Sequence, residues 1–274
     1  MPEAAPHPSH GGAARLTLPV SGFAVTLRRL TGVEDILLAE GRAEDPGLAL
    51  VLVDNLASAD APCEWSALPI PDVDAIIVAI RRMALGNRIV AESACVRAEC
   101  GSRVDFAFRL SDYLEHNRAR AKRLAGATVA SADESGWFNL ESSGAIAFRV
   151  PRFGDLVAAA READPAESLA RRCVRPPTAS RRERARAGRA MAAMAPALSG
   201  PIRGRCPDCG AAIEAQFDAR VYCLQELCDR ARFVYDDVDA LASRHHWSES
   251  AILELPSERR AQYVERARAQ PRLN

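Results

Sequence analysis

Two cysteine pairs, each followed directly by a glycine, are the residues of this sequence whose spacing is suited to metal chemistry. The first pair is Cys95 and Cys100, and the second is Cys206 and Cys209. Thiol pairs on such turns are typical of the ligand-bearing halves of a zinc ribbon, and two halves supply the four sulfurs of a closed tetrahedral site. A closed site is structural, so the sequence predicts one structural Zn²⁺ and argues against an active site at these thiols.

The segments that follow the two cysteine pairs resemble each other. When they are aligned on Cys-Gly, similar residues coincide: Val104 with Ile213, Asp105 with Glu214, Phe108 with Phe217, and Tyr113 with Tyr222. Each segment is predicted to form a thiol turn, a short strand and then a helix. Because of this internal repeat, we treat the first pair as equivalent to the second although its spacing is wider. Its four intervening residues are still within the two to four that zinc sites use.

Other interpretations of the four thiols stay open at this stage. The wider spacing of Cys95 and Cys100 is also compatible with ligand pairs that have decayed while their hairpins still pack together. Two separate, incomplete sites are disfavoured because neither pair has a nearby histidine; His116 falls on a polar helix and is predicted to be exposed. The remaining cysteines show no catalytic setting and are interpreted as loop or buried residues: Cys63, Cys173, Cys223 and Cys228.

Two strands and two helices are predicted to position the thiols. Residues 88–94 read as a strand that enters the first turn, and residues 104–108 as the strand that leaves it. An apolar stripe after Pro69 predicts a helix before them that ends at Gly86. After the second turn, a continued three-and-four spacing of apolar residues predicts the longest helix of the chain, over residues 219–243.

The rest of the chain is predicted to alternate short strands and helices. The expected elements are two strands within 17–27, a helix at 33–40 with a capping box, an apolar stretch of open type at 48–56, a helix at 111–125, two strands within 137–150, and helices at 153–160, 165–173, 249–255 and 258–269. The predicted class is α+β, mostly helical with short β-hairpins, in which two zinc-ribbon half-knuckles join into one ribbon. The expected organisation is a disordered tail at 1–15, a hairpin with short helices at 16–60, a helix with the first ribbon half at 61–125, a strand and helix insert at 126–205, and the second ribbon half with C-terminal helices at 206–274.

Charge and composition disfavour several classes of partner. The 274 residues carry 36 basic and 36 acidic side chains, so the formal net charge is zero. A balanced chain gives no electrostatic reason to bind nucleic acid or an acidic membrane surface. The start of the chain has no apolar signal region, and the apolar run 73–85 is interrupted by charges and is too short to span a bilayer. We therefore expect a cytosolic protein with reduced thiols.

Candidate catalytic residues are few. The sequence has no Gly-rich phosphate loop, no HExxH and no Gly-x-Ser-x-Gly. His245 and His246 fall at the predicted end of a helix, where positive charge is favourable. The acidic run 236–239 is interpreted as a solvated helix face. We predict no catalytic residues and no small-molecule substrate.

An arginine-rich run at 181–189 is the one candidate for a nucleic-acid patch. It has no interleaved aromatic residue, and the rest of the chain is not basic. The preferred interpretation is a solvated helix with Met191 and Met194 packed inward.

The C-terminal third resembles a known family. The residues that carry the resemblance are Cys206-Pro-Asp-Cys209-Gly, the helix after Phe217-Asp218, and above all His246-Trp-Ser-Glu-x-x-Ile-Leu-x-Leu-Pro256. Leu68-Pro69, the first Cys turn with Tyr113-Leu114, Phe148-Arg-Val-Pro151 and Arg172-Cys-Val174 continue it through the middle of the chain. This layout, over about residues 50 to 268, is similar to the baseplate hub assembly proteins of T-even-like contractile phage tails and related injection systems.

The resemblance implies a baseplate component or an assembly chaperone. The implied partners are other baseplate or tail proteins associated with the hub, spike or tube, and the implied location is the bacterial cytoplasm or a phage-like particle. The first cysteine pair departs from the family, which usually has two intervening residues. A zinc-ribbon regulatory protein that binds nucleic acid through 181–189 is the alternative, and a metalloenzyme that uses His245 and His246 is the third hypothesis.

Overall fold

The protein is described by a computed structural model that covers residues 14–117, 136–140 and 146–269. Within these residues the chain is mostly helical, with short strands between the helices. The helices are α1 (Gly32–Glu40), α2 (Pro46–Leu56), α3 (Ile70–Leu85), α4 (Leu110–His116), α5 (Phe153–Ala159), α6 (Pro165–Cys173), α7 (Arg181–Met194), α8 (Ala219–Ala231), α9 (Val234–His245), α10 (Glu249–Leu253) and α11 (Ser257–Ala269).

The strands of the described residues pair antiparallel in small sheets. They are β1 (Ala14–Thr17), β2 (Ala24–Leu27), β3 (Ala57–Ala59), β4 (Arg88–Ala94), β5 (Arg103–Arg109), β6 (Phe138–Asn139), β7 (Ala147–Phe148), β8 (Val174–Arg175), β9 (Ser199–Arg205) and β10 (Ala212–Asp218). The orders β1-β2-β3 and β6-β7-β8 form three-stranded sheets, and β4-β5 and β9-β10 form two separate hairpins. The predicted α+β class with short hairpins is confirmed.

Helix α3 forms the centre of the main core. Its stripe of Val73, Ile76, Ile77 and Ile80 is buried, as the sequence predicts. The helix ends at Gly86, whose φ of 84° lies in the left-handed region that favours glycine. Helices α2 and α8 pack against α3, and the same core includes residues of β2, β4 and β10.

Local capping explains where several helices begin. The apolar stretch 48–56, which the sequence does not assign to helix or strand, lies within helix α2. The Asp45 carboxylate caps this helix by accepting a hydrogen bond from the Gly47 N–H at 2.8 Å. At the start of α1, the Glu34 carboxylate accepts from the Thr31 N–H at 2.9 Å, as the predicted capping box requires. The cap at Asp45 therefore makes α2 begin at Pro46, two residues before the apolar stretch.

The prediction of a single helix over residues 219–243 is wrong. Helix α8 ends at Ala231, and α9 begins at Val234 after a break at Arg232 and Phe233. The spacing of apolar residues continues through the break because the apolar residues of each helix pack into a different core. The apolar face of α8 packs into the main core, whereas Leu241 of α9 packs with α10 and α11 in a separate small cluster.

Two other predicted segments have ends that differ from those in the structure or lie outside the described residues. Strand β1 begins at Ala14, two residues inside the segment predicted as a tail, and residues 1–13 lie outside the described residues. Helix α4 ends at His116, and the rest of the helix predicted at 111–125 also lies outside them from residue 118 onward. The two strands predicted within 137–150 are β6 and β7, and residues 141–145 between them are not described.

The C-terminal helices are attached to α1 through a buried carboxylate. Asp35 is fully buried and accepts hydrogen bonds from Arg230 of α8, Arg260 of α11 and the Ser257 hydroxyl. Arg260 is buried as well and also contacts Asp237 of α9 at 3.3 Å. A buried charge needs such partners to offset its desolvation. This network fixes the last three helices relative to the main core.

Candidate metal centre

The two hairpins β4-β5 and β9-β10 carry the cysteine pairs at their tips. The Cys95 N–H donates to the Ser102 carbonyl at 2.8 Å, and the Cys206 N–H donates to the Ala211 carbonyl at 2.9 Å. The first thiol of each pair therefore occupies the same place, just beyond the last paired residue of its strand. The predicted repeat of thiol turn, strand and helix is confirmed in both segments, whereas strand β9, which enters the second turn, was not predicted.

The two turns close in the same way despite their different lengths. Gly101 and Gly210 have φ of 63° and 70°, and each donates its N–H to the carbonyl four residues earlier. That carbonyl belongs to Cys206 in the second turn but to Arg97 in the first. The two residues by which the first pair is wider therefore come before its turn, which closes in the same way as the second turn. Cys95 still reaches the cluster.

The four sulfurs lie close enough together to bind one metal ion. Cys95 Sγ lies 3.6 Å from Cys209 Sγ, and Cys100 Sγ lies 3.8 Å from Cys206 Sγ. All four sulfur atoms lie within 4.8 Å of one another. A zinc ion with Zn–S bonds of about 2.3 Å sets its thiolate sulfurs about 3.8 Å apart. The donor set therefore fits one four-coordinate ion that prefers sulfur.

Each hairpin contributes one buried and one half-buried thiol. Cys95 and Cys206 are 9% and 2% exposed, while Cys100 and Cys209 are half-buried. Apolar side chains from both hairpins surround the sulfurs, among them Val104, Phe106 and Ile213. This apolar surrounding limits the access of water and strengthens the interaction between thiolates and a cation.

The thiols differ in acidity before any metal is bound. Hydrogen bonds from the hydroxyl and the N–H of Ser102 lower the pKa of Cys100 to about 7. The Arg97 N–H lowers the pKa of Cys95, but burial and the neighbouring thiols outweigh it and raise that pKa to about 12. Cys100 therefore presents a thiolate more readily than Cys95 does. The role of Ser102, which lies 3.0 Å from Cys100 Sγ, was not predicted from the sequence.

The aromatic residues of the repeat meet at the base of the two hairpins. Phe108 and Phe217, which occupy equivalent positions, pack edge to face with ring centroids 5.2 Å apart. Tyr113 and Tyr222 each contact Phe217, and the Tyr222 hydroxyl donates to the Val90 carbonyl at 2.9 Å. The two halves are thus joined at both ends, by sulfurs at the tips and by rings at the base.

The other four cysteines stand apart from this cluster, as predicted. Cys173 and Cys223 are buried, and burial raises the pKa of each to about 12. Cys63 and Cys228 are half-buried, and their pKa values are also raised, first by burial. Thiols with raised pKa values are poor nucleophiles at neutral pH.

The remaining metal or acid–base candidates are not brought together. His245 and His246 are exposed, and the His245 ring stacks on Trp247 with centroids 4.9 Å apart. Asp237 of the acidic run pairs with Arg260 and Arg268. Among the described residues, the four-cysteine cluster is the one group of metal-ligating side chains that was found.

The arginine-rich run forms helix α7 and is packed on one side. Ala187 and Ala190 are buried, and Met191 and Met194 pack against the same small core. Several arginines of the run face solvent, and Arg184 lies 3.4 Å from Glu167. The predicted solvated helix with inward-facing methionines is confirmed.

Comparisons with protein-family models, with curated proteins and with solved structures find no match to this chain. In the part of the chain that the structure describes, no helix is both long enough and apolar enough to cross a membrane.

Proposed function

We propose that Cys95, Cys100, Cys206 and Cys209 bind one structural Zn²⁺ and that the two hairpins work as a zinc ribbon. The observation that carries this proposal is that four sulfurs, from segments 106 to 114 positions apart, lie within 4.8 Å of one another. Zinc would supply a four-coordinate cross-link with no open position for a substrate. The protein residues hold the thiols in place through the matching turns and the aromatic base.

Such a cross-link has a large effect on folding because it closes a long loop. The entropy of the unfolded chain falls when two distant segments are tied together. Structural zinc contributes an apparent binding free energy of about 10–16 kcal/mol in small domains, which is comparable to the stability of a whole domain. The metal is therefore expected to be a condition for stable packing of the two hairpins.

Metal analysis of the purified protein tests this proposal. Native mass spectrometry should show one zinc ion per chain, and a strong chelator should remove it only together with a loss of folded structure. Cobalt substitution should give the absorption of a tetrahedral thiolate site. A natively folded protein that carries no metal and takes up none would overturn the proposal.

We infer that the protein is a non-enzymatic baseplate component or assembly chaperone of a contractile phage tail or a phage-like injection system. The support is the sequence resemblance over residues 50 to 268, above all the block from His246 to Pro256. A closed metal site is in keeping with this role, because it leaves the ion no position for catalysis.

The block that carries the resemblance joins the last three helices. Trp247 packs edge to face on Tyr263 of α11, with ring centroids 5.2 Å apart. Ser248 accepts a hydrogen bond from the Ala251 N–H and so caps α10, and Ile252 is fully buried. These contacts pack the block against the last three helices, and we propose that this end of the molecule binds other baseplate proteins.

Deletion of the gene in the bacterium or phage that carries it tests the assembly role. We expect tails or injection particles without complete baseplates, and rescue by the intact gene. Mass spectrometry of purified particles then separates the two forms of the proposal: a component is found in the particle, and a chaperone is found only in lysates. Normal particle number and normal injection after deletion would overturn it.

A further inference from the structure

We propose that a groove between α6, β8 and Trp137 binds an acidic peptide segment of a partner protein. The groove is open to solvent and encloses 610 Å³. We call it the Arg–Trp groove, and it is lined by Trp137, Arg171, Arg172, Val174, Arg175, Pro176 and Pro177. It shares no residue with the thiol cluster, and this proposal depends on neither the metal nor the baseplate role.

The indole of Trp137 lies beneath a guanidinium of the groove. Arg175 lies over the ring with its Cζ 3.9 Å from the ring centroid, and Arg149 lies 5.6 Å from it. Trp137 itself is 8% exposed, so the ring is part of the wall and is not a mobile surface residue. A guanidinium over an aromatic face is attracted to the ring, and its N–H groups can still donate to a carboxylate in a bidentate manner.

Within the residues that the structure describes, the positive charge of the groove is largely unpaired. Arg171 and Arg175 form no ion pair with any residue that the structure describes. Arg172 reaches Glu162 only at 4.0 Å, between two partly exposed side chains. By contrast, Arg149, which is near Trp137 but does not line the groove, is paired with Asp155 at 2.6 Å. The three outer guanidinium groups therefore favour an anionic ligand.

The composition of the walls favours a peptide over a nucleic acid. Proteins that bind single strands stack bases on free aromatic faces, but here Arg175 covers Trp137. The net charge of the chain is zero, so no overall positive field attracts a phosphate backbone to the protein. Val174, Pro176 and Pro177 give the groove an apolar side that can contact the side chains and backbone of an extended peptide.

Binding of three labelled probes to the full-length protein tests the proposal. The probes are an oligoglutamate peptide, an oligoglutamine peptide of the same length and a single-stranded DNA oligonucleotide, measured by fluorescence polarisation at near-physiological salt. We expect binding of oligoglutamate and none of oligoglutamine. No binding of oligoglutamate, or tighter binding of the oligonucleotide, would overturn the proposal.

Two variants and a matched control locate the binding site. Arg171→Glu changes an exposed residue of α6 and should weaken oligoglutamate binding by about tenfold or more. Arg175→Gln tests the stacked guanidinium and should also weaken binding, and its thermal unfolding is measured in parallel to confirm folding. Arg266→Glu makes the same charge change on α11 and should leave binding unchanged. An equal loss in Arg266→Glu, or full binding by Arg171→Glu, would also overturn the proposal.

Discussion

The ring of Phe106 lies against the backbone of Gly204. A Cβ atom on Gly204 would come within 2.8 Å of Phe106 Cε1, which is closer than real side chains approach. Phe106 belongs to β5 and Gly204 to β9, so this contact is where the two cysteine hairpins face each other. The absence of a side chain at residue 204 therefore sets how closely the hairpins, and the sulfurs at their tips, can approach.

We predict that Gly204→Val separates the two hairpins and weakens metal binding. Overpacking a tight contact costs about 1–3 kcal/mol, and here the displacement also moves the two thiol pairs apart. The measurements are the free energy of unfolding and the zinc retained in competition with a chelator.

Gly200→Val is the matched control for this substitution. Gly200 lies four residues earlier in the same strand, but a Cβ atom there meets no atom within 4 Å. We expect metal retention close to that of the unchanged protein. Equal zinc retention by the two variants would contradict the role assigned to the Phe106–Gly204 contact.

Cys206→Ser is predicted to abolish zinc binding and to destabilise the fold. Cys206 is 2% exposed at the centre of the cluster, so serine leaves three thiolates and a buried hydroxyl in its place. We expect a loss of about 4 kcal/mol or more in the free energy of unfolding, which is exceptional for one substitution. Cys63→Ser, at a half-buried cysteine outside the cluster, should keep one zinc ion per chain. A stable Cys206→Ser protein that still binds zinc with unchanged affinity would contradict the prediction.

The thiol cluster was predictable because its signals are local and occur twice. A Cys-Gly turn needs a left-handed residue, and Gly101 and Gly210 supply it. The aligned Phe108 and Phe217 indicated equivalent strands, and these rings are in contact. The start of helix α1, which depends on a local capping box, was predictable for the same reason.

The break between α8 and α9 was not predictable from apolar spacing alone. The three-and-four spacing of apolar residues is the same before and after the break at residues 232 and 233. Only the tertiary structure shows that Leu227 and Leu241 belong to different cores. Ion pairs between distant segments leave no local signal either: Asp35 and Arg260 are 225 positions apart. The contact of Gly204 with Phe106 was missed because a glycine within a strand does not reveal what lies opposite.

Asp35→Asn is predicted to loosen the C-terminal helices. The substitution keeps the shape of the side chain but removes the charge that Arg230 and Arg260 share. Breaking a buried ion pair on one side costs about 3–5 kcal/mol because the remaining charge is left without compensation. Urea unfolding should report this loss, and hydrogen exchange should show it concentrated in α9 to α11.

The exposed Asp54 offers a control for the Asp35 prediction. Asp54→Asn makes the same chemical change on α2 without a buried partner, and we expect a change of at most about 0.5 kcal/mol. Similar losses in the two variants, or unchanged exchange in the last three helices of Asp35→Asn, would contradict the role of the buried network.

The Asp74 carboxyl is predicted to make the protein less stable as the pH rises from about 4 to about 7. Burial raises the pKa of Asp74 from 3.8 to about 7, although Arg220 opposes this rise and Asp218 adds to it. The folded state therefore keeps a proton on Asp74 at pH values where the unfolded chain has lost it. Because the folded state binds more protons over this range, the contribution of Asp74 to stability is fully present below pH 3.8 and is lost as the pH rises through about 7.

Replacement of Asp74 by asparagine isolates this contribution from the other titrating groups. The difference in unfolding free energy between Asp74→Asn and the unchanged protein, measured in urea at several pH values, should shift in favour of the variant as the pH rises. Glu34→Gln should shift in the opposite direction, because hydrogen bonds from Arg28 and Thr31 outweigh burial and hold the pKa of Glu34 below 4.5. Parallel pH profiles for Asp74→Asn and the unchanged protein would show that Asp74 is ionised throughout, held in that state by Arg220 at 3.2 Å.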